Sequence, residues 1–251
     1  DPYKHPLTAH QEHTNYTRAA DSAFQDVEGH SWFAVKHSWN LLEKIPHDIY
    51  RDYWENGQGK VAVLYEGRYD HFRTGTTGAR AQGWVAYLSG MYGYGYGSQK
   101  IWSANEDPGI WSGDLISAYN DGYDIMTYHD MDLSWMESLK LPAAEQMGYM
   151  KEFLTSVEWW KLIPTFGSVL DFSKEGSADC VMARNGTESA VLYFLNQTLD
   201  TGRVNLLEDC AYLVTWLNPR TGEKEISKRV WAVGGKIQLD SKPDTYDWVV
   251  L

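Results

Sequence analysis

The residues best suited to chemistry begin with a carboxylate that ends an apolar run, Val61-Ala62-Val63-Leu64-Tyr65-Glu66. A continuous apolar run of this length is typical of a strand that is buried on both faces, as in a parallel sheet. Barrels and doubly wound sheets bind their ligands at the carboxyl ends of such strands. Glu66 therefore lies where a barrel enzyme would place a catalytic acid. The alternative is a loop carboxylate that pairs with Arg68 or Arg73.

The elements that must position Glu66 alternate between strand and helix over residues 1–160. The patterns predict strands near residues 5–9, 22–27, 61–65 and 90–97, and helices near residues 32–42, 47–56 and 76–91. This is half of a (β/α)8 barrel, which takes about 250 residues when complete. Four strands cannot close, because strand number and barrel diameter are linked. The alternatives are an open α/β sheet or the C-terminal half of a barrel, and a chain that begins at Asp1 without Met favours the second.

The C-terminal part of the chain has a different sequence pattern. Pro142 begins a clear helix, and from residue 166 short alternating apolar runs are separated by turn residues. This spacing favours a small antiparallel β-sandwich. We therefore predict two domains, a half-barrel over residues 1–165 and a β-sandwich over residues 166–251. Between residues 103 and 140 we predict a loop-rich insertion, whose acidic segment has no metal-ligand spacing, so no metal is predicted.

Composition excludes several classes of protein. The net charge is −12 and there is no basic patch, so nucleic acid is not an expected partner. No segment approaches about 18 consecutive apolar residues, so no membrane span is expected, and residues 1–20 show no signal peptide. Twelve Trp and 17 Tyr suit sugar-binding clefts, although core packing is their commoner role. Cys180 and Cys210 could form a disulfide in an oxidising compartment.

A set of short motifs follows one order along nearly the whole chain. They are Asp1-Pro-Tyr-Lys-His-Pro-Leu-Thr-Ala-His10, Glu28-Gly-His30, Tyr65-Glu-Gly-Arg-Tyr69, Arg80 with Trp84, Gly97-Ser-Gln-Lys-Ile-Trp102, Gln146-Met147, Trp159-Trp160, Asn218-Pro-Arg-Thr-Gly222 and Asp247-Trp248. Each motif is weak alone, but the ordered set resembles the apiosidase-like glycoside hydrolases (DUF4038, glycoside hydrolase family 140). That family has a TIM barrel followed by a small β-sandwich named for collagen binding.

The resemblance implies a role for Glu66. It matches the catalytic nucleophile at the end of the seventh barrel strand, whereas the family's acid/base lies on the fourth strand, upstream of Asp1. A retaining glycosidase needs two carboxyl groups about 5–5.5 Å apart, of which one attacks the anomeric carbon and one carries the proton. The nucleophile must stay ionised, and Tyr69 and Arg80 are the candidates for supporting it.

Four further residues are candidates for substrate binding. His10 and His30 close two earlier strands and could hydrogen-bond sugar hydroxyls, or they could be structural histidines bonded to the backbone. Trp102 follows the eighth strand, where its ring could stack on a sugar or cap the barrel core. The family usually has Gln-Ser-Gly-His where this chain has Val27-Glu28-Gly29-His30, so Glu28 adds a carboxylate that could also serve as an acid/base within the chain.

Two hypotheses follow. In the first, the chain is the C-terminal half of a retaining glycoside hydrolase that acts on a plant or other complex polysaccharide. It would be secreted, periplasmic or on the cell surface, would need no cofactor, and its partner would be the N-terminal half of the same barrel. In the second, the chain is a non-catalytic carbohydrate- or matrix-binding module whose recognition surface lies in residues 166–251.

Overall fold

A computed structural model describes the fold over residues 2–3, 5, 34–37, 51, 53–55, 61–67, 69–70, 75–98, 101, 133–166, 170–171, 180–195, 199, 201–205 and 208–251. In the N-terminal part, the elements are β1 (Ala34–His37), β2 (Ala62–Glu66) and α1 (Gly75–Leu88). They are followed by α2 (Trp135–Ser138), α3 (Pro142–Ser156), a 3-10 turn (Trp159–Lys161), β3 (Ile163–Thr165), β4 (Leu170–Asp171), β5 (Cys180–Asn185), β6 (Ser189–Phe194), β7 (Arg203–Val204), β8 (Ala211–Leu217), β9 (Lys224–Trp231), β10 (Ile237–Gln238) and β11 (Trp248–Val250).

The strand that carries Glu66 lies between two parallel neighbours. On one side β1 pairs with β2 in parallel register. On the other side, the backbone N–H of Tyr92 donates to the carbonyl of Ala62 at 2.8 Å, and that of Gly95 donates to the carbonyl of Leu64 at 2.8 Å. Helix α1 connects β2 to this second neighbour, so the segment is a βαβ unit. Within the described residues, β1, β2 and this second neighbour do not close into a barrel.

The prediction of a helix over residues 32–42 was wrong in its described part, because residues 34–37 form β1. The apolar spacing of three to four residues favoured a helix, but pairing with β2 determines the conformation. The prediction that β2 is buried on both faces was also wrong for the strand end, since Tyr65 is 56% exposed. The predicted strands near residues 5–9 and 22–27 lie outside the described part of the chain.

The glycine-rich segment over residues 90–97 runs close to β2. A methyl group on Gly95 would lie 1.9 Å from the backbone carbonyl oxygen of Tyr65, and one on Gly93 would lie 3.0 Å from Val63. Gly95 is therefore required by the close approach of two backbones, which explains why small residues alternate with rings here.

We expect Gly95→Ala to destabilise the protein by several kcal/mol, on the order of the cost of a tightly overpacked core. The clash is with a backbone carbonyl of β2, which cannot move without disturbing the sheet. Gly148→Ala is the matched control, since nothing lies within 4 Å of the added methyl. In the middle of α3 it should stabilise by about 0.5–1 kcal/mol. Urea unfolding of the two variants measures both effects, and equal stabilities would contradict the predicted contact.

Two helices pack beside the parallel strands. Helix α3 begins with Pro142 at its first position, as predicted, and packs Met150, Phe153 and Leu154 into the core. Helix α1 is buried on all sides over residues 78–86. Within the described residues no helix is long and apolar enough to cross a membrane.

The described part of residues 166–251 is antiparallel β structure, as predicted. One sheet has six strands in the order β3-β5-β6-β11-β8-β9, and a second has the order β10-β7-β4. Side chains alternate between two clusters along β5 and β6: Val181, Ala183, Val191 and Tyr193 face the helices, whereas Cys180, Met182, Leu192 and Phe194 face the second sheet. The six-stranded sheet thus has one face packed against the helices and the other in a second apolar cluster.

This arrangement affects two predictions about the C-terminal part. Ile163–Thr165 pairs with β5 and so belongs to the six-stranded sheet, although the predicted boundary put these residues with the helices. The two antiparallel sheets share the cluster that contains Val204 and Trp216, while the sandwich arrangement itself stays a prediction. Cys180 and Cys210 do not form a disulfide with each other in this structure.

Candidate active site

Glu66 is the last residue of β2 and is half-buried. The hydroxyl of Tyr69 donates a hydrogen bond to Oε1 of Glu66 at 2.7 Å. The Tyr69 ring is held against Gly97, where an added methyl group would lie 2.7 Å from the ring. A buried phenol is therefore fixed beside a partly accessible carboxylate at the carboxyl end of a parallel strand. This hydrogen bond holds the carboxylate of Glu66 in one orientation at the strand end.

We expect Tyr69→Phe to lower kcat of the complete protein by about tenfold, while KM changes little. The variant keeps the ring in place and removes the hydrogen bond that orients the Glu66 carboxylate, and a catalytic group that is poorly oriented reacts more slowly. Steady-state kinetics check the expectation. Tyr92→Phe, at an exposed phenol near the other end of the strand, is the control. Equal kcat values for the two variants would contradict a role for the Tyr69 hydroxyl.

Asp70 is a second carboxylate close to Glu66 in the chain. It is buried, and its hydrogen-bond partners connect elements of the fold. It accepts hydrogen bonds from the Tyr96 hydroxyl and from the backbone N–H of Ala143, both at 3.1 Å. Helix α3 has no side-chain cap of its own, so Asp70 satisfies one of its first N–H groups and lies at the positive end of its dipole. Burial and the charge of Asp70 raise the pKa of Tyr96. Asp70 thus fixes the loop after Glu66 to α3.

Arg80 lies in α1 and forms a buried ion pair with the C-terminal sheet. Its Nε and Nη2 donate to the two oxygens of Asp247 at 2.8 and 2.7 Å, and its Nη1 donates to Oε1 of Gln146 at 2.6 Å. Burial lowers the pKa of Arg80, but the hydrogen bond and charge of Asp247 more than offset this, so the pKa is raised. These contacts place Arg80 at the junction of α1, α3 and the sheet, and support of Glu66 by Arg80 stays a prediction.

Tyr193 completes this buried group, because its hydroxyl donates to Oδ2 of Asp247 at 2.7 Å. Its ring stacks on Trp84 with centroids 5.9 Å apart. Burial and the adjacent Asp247 charge raise the pKa of Tyr193 well above its ordinary value. The phenol is therefore neutral in the folded protein at pH values where an unfolded chain would ionise it.

This pKa shift predicts a loss of stability in alkali. Tyr193 binds its proton more tightly when folded, so its contribution is complete below about pH 10 and is lost as the pH rises above that value. We expect the wild-type free energy of unfolding to fall with pH more steeply than that of Tyr193→Phe, by up to about 1.4 kcal/mol per pH unit. Tyr246→Phe, at a phenol that is 64% exposed, is the control. Urea unfolding between about pH 9 and 11 measures the slopes, and parallel curves would contradict the assignment.

The structure brings some of the predicted site residues together. Glu66 and Tyr69 are in direct contact, whereas the described partners of Arg80 lie in α3 and the C-terminal sheet. Four others lie outside the described part of the chain: His10, Glu28, His30 and Trp102. The structural role of Asp70 was not predicted, although its place three residues after Gly67 at the strand end was a signal for it. No cluster of His, Cys, Asp or Glu that could hold a metal occurs among the described residues.

Comparison with solved structures first gives the class of fold. A crystal structure of a glycoside hydrolase family 5 protein from Bacteroides vulgatus is similar with a TM-score of 0.64 and 17% identity, over 92% of this chain and 52% of that one. A second structure, described as a glycoside hydrolase, has a TM-score of 0.61 and 15% identity, over 92% of this chain and 54% of that one. Identities this low show the fold alone, which is similar to part of the TIM-barrel folds of glycoside hydrolases.

The family is shown by sequence. The model of the apiosidase-like catalytic domain matches residues 3–161, which is more than half of the chain. The chain therefore belongs to the apiosidase-like family, as its motifs predicted. No curated protein matches the chain. The chain spans about half the length of the solved structures that it resembles.

Proposed function

We propose that the chain is the C-terminal part of a retaining glycoside hydrolase that acts on a plant or other complex polysaccharide, with Glu66 as its nucleophile. The observation that carries this proposal is the placement of Glu66 at the carboxyl end of a parallel strand, where Tyr69 donates to it at 2.7 Å. Family membership and fold both support hydrolysis of a glycosidic bond. The acid/base is supplied by the upstream half of the barrel, and the complete protein is secreted, periplasmic or at the cell surface.

The proposed reaction has two steps. In the first, an oxygen of Glu66 attacks the anomeric carbon, the bond to the leaving oxygen breaks, and the acid/base protonates that oxygen. In the second, the acid/base takes a proton from water, which attacks the anomeric carbon and releases Glu66. Tyr69 holds the attacking carboxylate in one orientation throughout. His10, Glu28, His30 and Trp102 are proposed to contact the sugar.

The test is the stereochemistry of hydrolysis by the complete protein. Plant cell-wall oligosaccharides are incubated with the enzyme, and proton NMR identifies the anomer that is released before mutarotation. Retention of the anomeric configuration is the expected result, because two displacements occur at one carbon. Inversion would remove the nucleophile role of Glu66, and no release of sugar from any oligosaccharide would remove the proposed activity.

The alternative of a separate binding module is less well supported by the structure. The six-stranded sheet has one face covered by α1 and α3, and Tyr193, Leu217 and Val249 share a cluster with helix residues such as Trp84. Residues 166–251 on their own would expose this apolar face. Retention of glycan binding by residues 166–251 alone, with Glu66 dispensable, would favour the module instead.

A further inference from the structure

Helix α1 carries two charged or amide side chains in its fully buried segment, residues 78–86, and they point in opposite directions. Arg80 and Gln82 are 2% and 1% exposed. Two residues along a helix are about 200° apart, so the two side chains leave it on opposite sides. Arg80 meets Asp247 of the C-terminal sheet, whereas Gln82 faces the strand that ends at Glu66.

The amide of Gln82 lies against Gly67, the residue that directly follows Glu66. A methyl group built on Gly67 would lie 2.1 Å from Oε1 and 3.0 Å from Cδ of Gln82. The same methyl group would lie 2.8 Å from the ring of Tyr94. Gly67 itself is buried. The end of β2 is therefore held between the buried amide of Gln82 and the half-buried ring of Tyr94, with no room for a side chain.

From this contact we infer that Gln82 is a positioning residue that sets the backbone after Glu66 and hence the direction of the Glu66 carboxylate. The inference rests on the proposed role of Glu66. The backbone of residue 67 sets the direction of the chain directly after Glu66. It therefore also affects where the Tyr69 side chain lies relative to Oε1 of Glu66. A displacement of a catalytic group by about 1 Å can cost about 100-fold in rate, so such a contact affects kcat more than binding.

The chemistry of Gln82 favours this role over simple packing. Burying an amide costs free energy unless its polar atoms are satisfied, and a leucine or methionine would fill a similar volume without that cost. A polar side chain at 1% exposure is therefore better explained by the backbone that it contacts than by the volume that it fills.

The experiment measures kcat, KM and the thermal midpoint of the complete protein on the oligosaccharides that it hydrolyses. We expect Gln82→Met to lower kcat by about tenfold and to change KM by less than about twofold. Gln82→Asn keeps the amide but shortens the side chain, so its kcat should lie between that of the wild type and that of Gln82→Met. Val85→Ala is the control, since Val85 is equally buried on the same helix. It should lower the midpoint without lowering kcat at temperatures where the protein is folded.

A second variant pair tests the contact itself. Gly67→Ala should lower kcat by about 100-fold, and Gln82→Ala should partly restore it by removing the atom that the new methyl meets. The double variant should therefore lose less activity than the product of the two single losses. Independent effects would overturn the inferred contact.

Glu66→Gln in the same assay separates the two proposals. If Glu66→Gln is inactive and Gln82→Met and Gln82→Asn keep the wild-type kcat, the positioning role is overturned and the proposed function stands. If Glu66→Gln keeps full activity, the nucleophile role fails and the inference fails with it. If Glu66→Gln is inactive and kcat falls in the Gln82 variants but not in Val85→Ala, both proposals are supported.

Discussion

We expect Asp247→Ala to lower the free energy of unfolding by about 3–5 kcal/mol. The substitution leaves the guanidinium of Arg80 buried without its anionic partner, and it leaves the Tyr193 hydroxyl without its acceptor. Breaking a buried pair from one side is costly because the remaining charge stays out of water. This is a large part of the stability of an ordinary domain, which is about 5–15 kcal/mol.

The geometry of the pair is the reason for so large an effect. Arg80 and Asp247 have side-chain exposures of 3% and 2%, and two parallel hydrogen bonds join them at 2.8 and 2.7 Å. Tyr193 adds a third hydrogen bond to the same carboxylate at 2.7 Å. Removal of Asp247 therefore breaks a buried polar contact between α1 and the residue that precedes β11.

A nearby ion pair provides the matched control. Asp244 pairs with Arg220 at 2.7 Å, but the side chains are 39% and 20% exposed. Burial raises the pKa of Asp244. The hydrogen bonds that it accepts from Trp248, the Tyr246 backbone and Arg220 lower this pKa by more than burial raises it, so the net shift is downward. Asp244→Ala should cost much less than Asp247→Ala, since water can solvate the remaining charge. Urea unfolding compares the variants, and equal losses would contradict the importance of burial.

The double variant Arg80→Met and Asp247→Leu extends this test. Replacement of both charges by apolar side chains removes the unpaired guanidinium, so it should recover much of the stability that Asp247→Ala loses. Tyr193 would still lack an acceptor, which limits the recovery. A double variant as unstable as Asp247→Ala would show that the pair has a role beyond satisfying its own charges.

Local sequence patterns predicted the elements whose partners are close in sequence. The β2 run, the helix that begins at Pro142 and the short strands after residue 166 all follow from apolar spacing and turn residues. Strand β9 was missed, although at eight residues it is long, because it lies at the edge of the sheet. Its sequence is Lys-Glu-Ile-Ser-Lys-Arg-Val-Trp. The charged residues prevent an exposed edge strand from pairing with other chains, and they also interrupt the apolar alternation that would predict a strand.

Contacts over long separations could not be predicted in this way. Arg80 and Asp247 are 167 positions apart, and nothing in either local sequence indicates their pairing. The predicted role of Arg80 beside Glu66 rested on its place in the first turns of α1, near the end of the strand. In the structure the guanidinium donates to Asp247 and Gln146, and its support of Glu66 stays a prediction. Tyr69 was easier to place, because only three positions separate it from the carboxylate that it contacts.

We expect Glu66→Gln to lower kcat of the complete protein by at least about 1000-fold, on the scale of losses when a covalent nucleophile is removed. The amide has the shape of the carboxylate, and the Tyr69 hydroxyl can still donate to its oxygen. The fold should therefore be unchanged while the attacking charge is lost. Glu152→Gln, at an exposed carboxylate of α3, is the control for charge alone and should keep wild-type activity. Unchanged sugar release by Glu66→Gln would end the proposal.

A shortened variant distinguishes a nucleophile from an acid/base at this position. Glu66→Ala leaves space for azide, which can attack the anomeric carbon in place of the carboxylate when the substrate has a good leaving group. A single displacement by azide gives a glycosyl azide of inverted configuration if Glu66 is the nucleophile. If Glu66 were the acid/base, the true nucleophile would form its intermediate first, and azide would then give the retained configuration. Because the stereochemistry depends on which carboxylate was removed, the anomer of the azide product assigns the role of Glu66 independently of any rate.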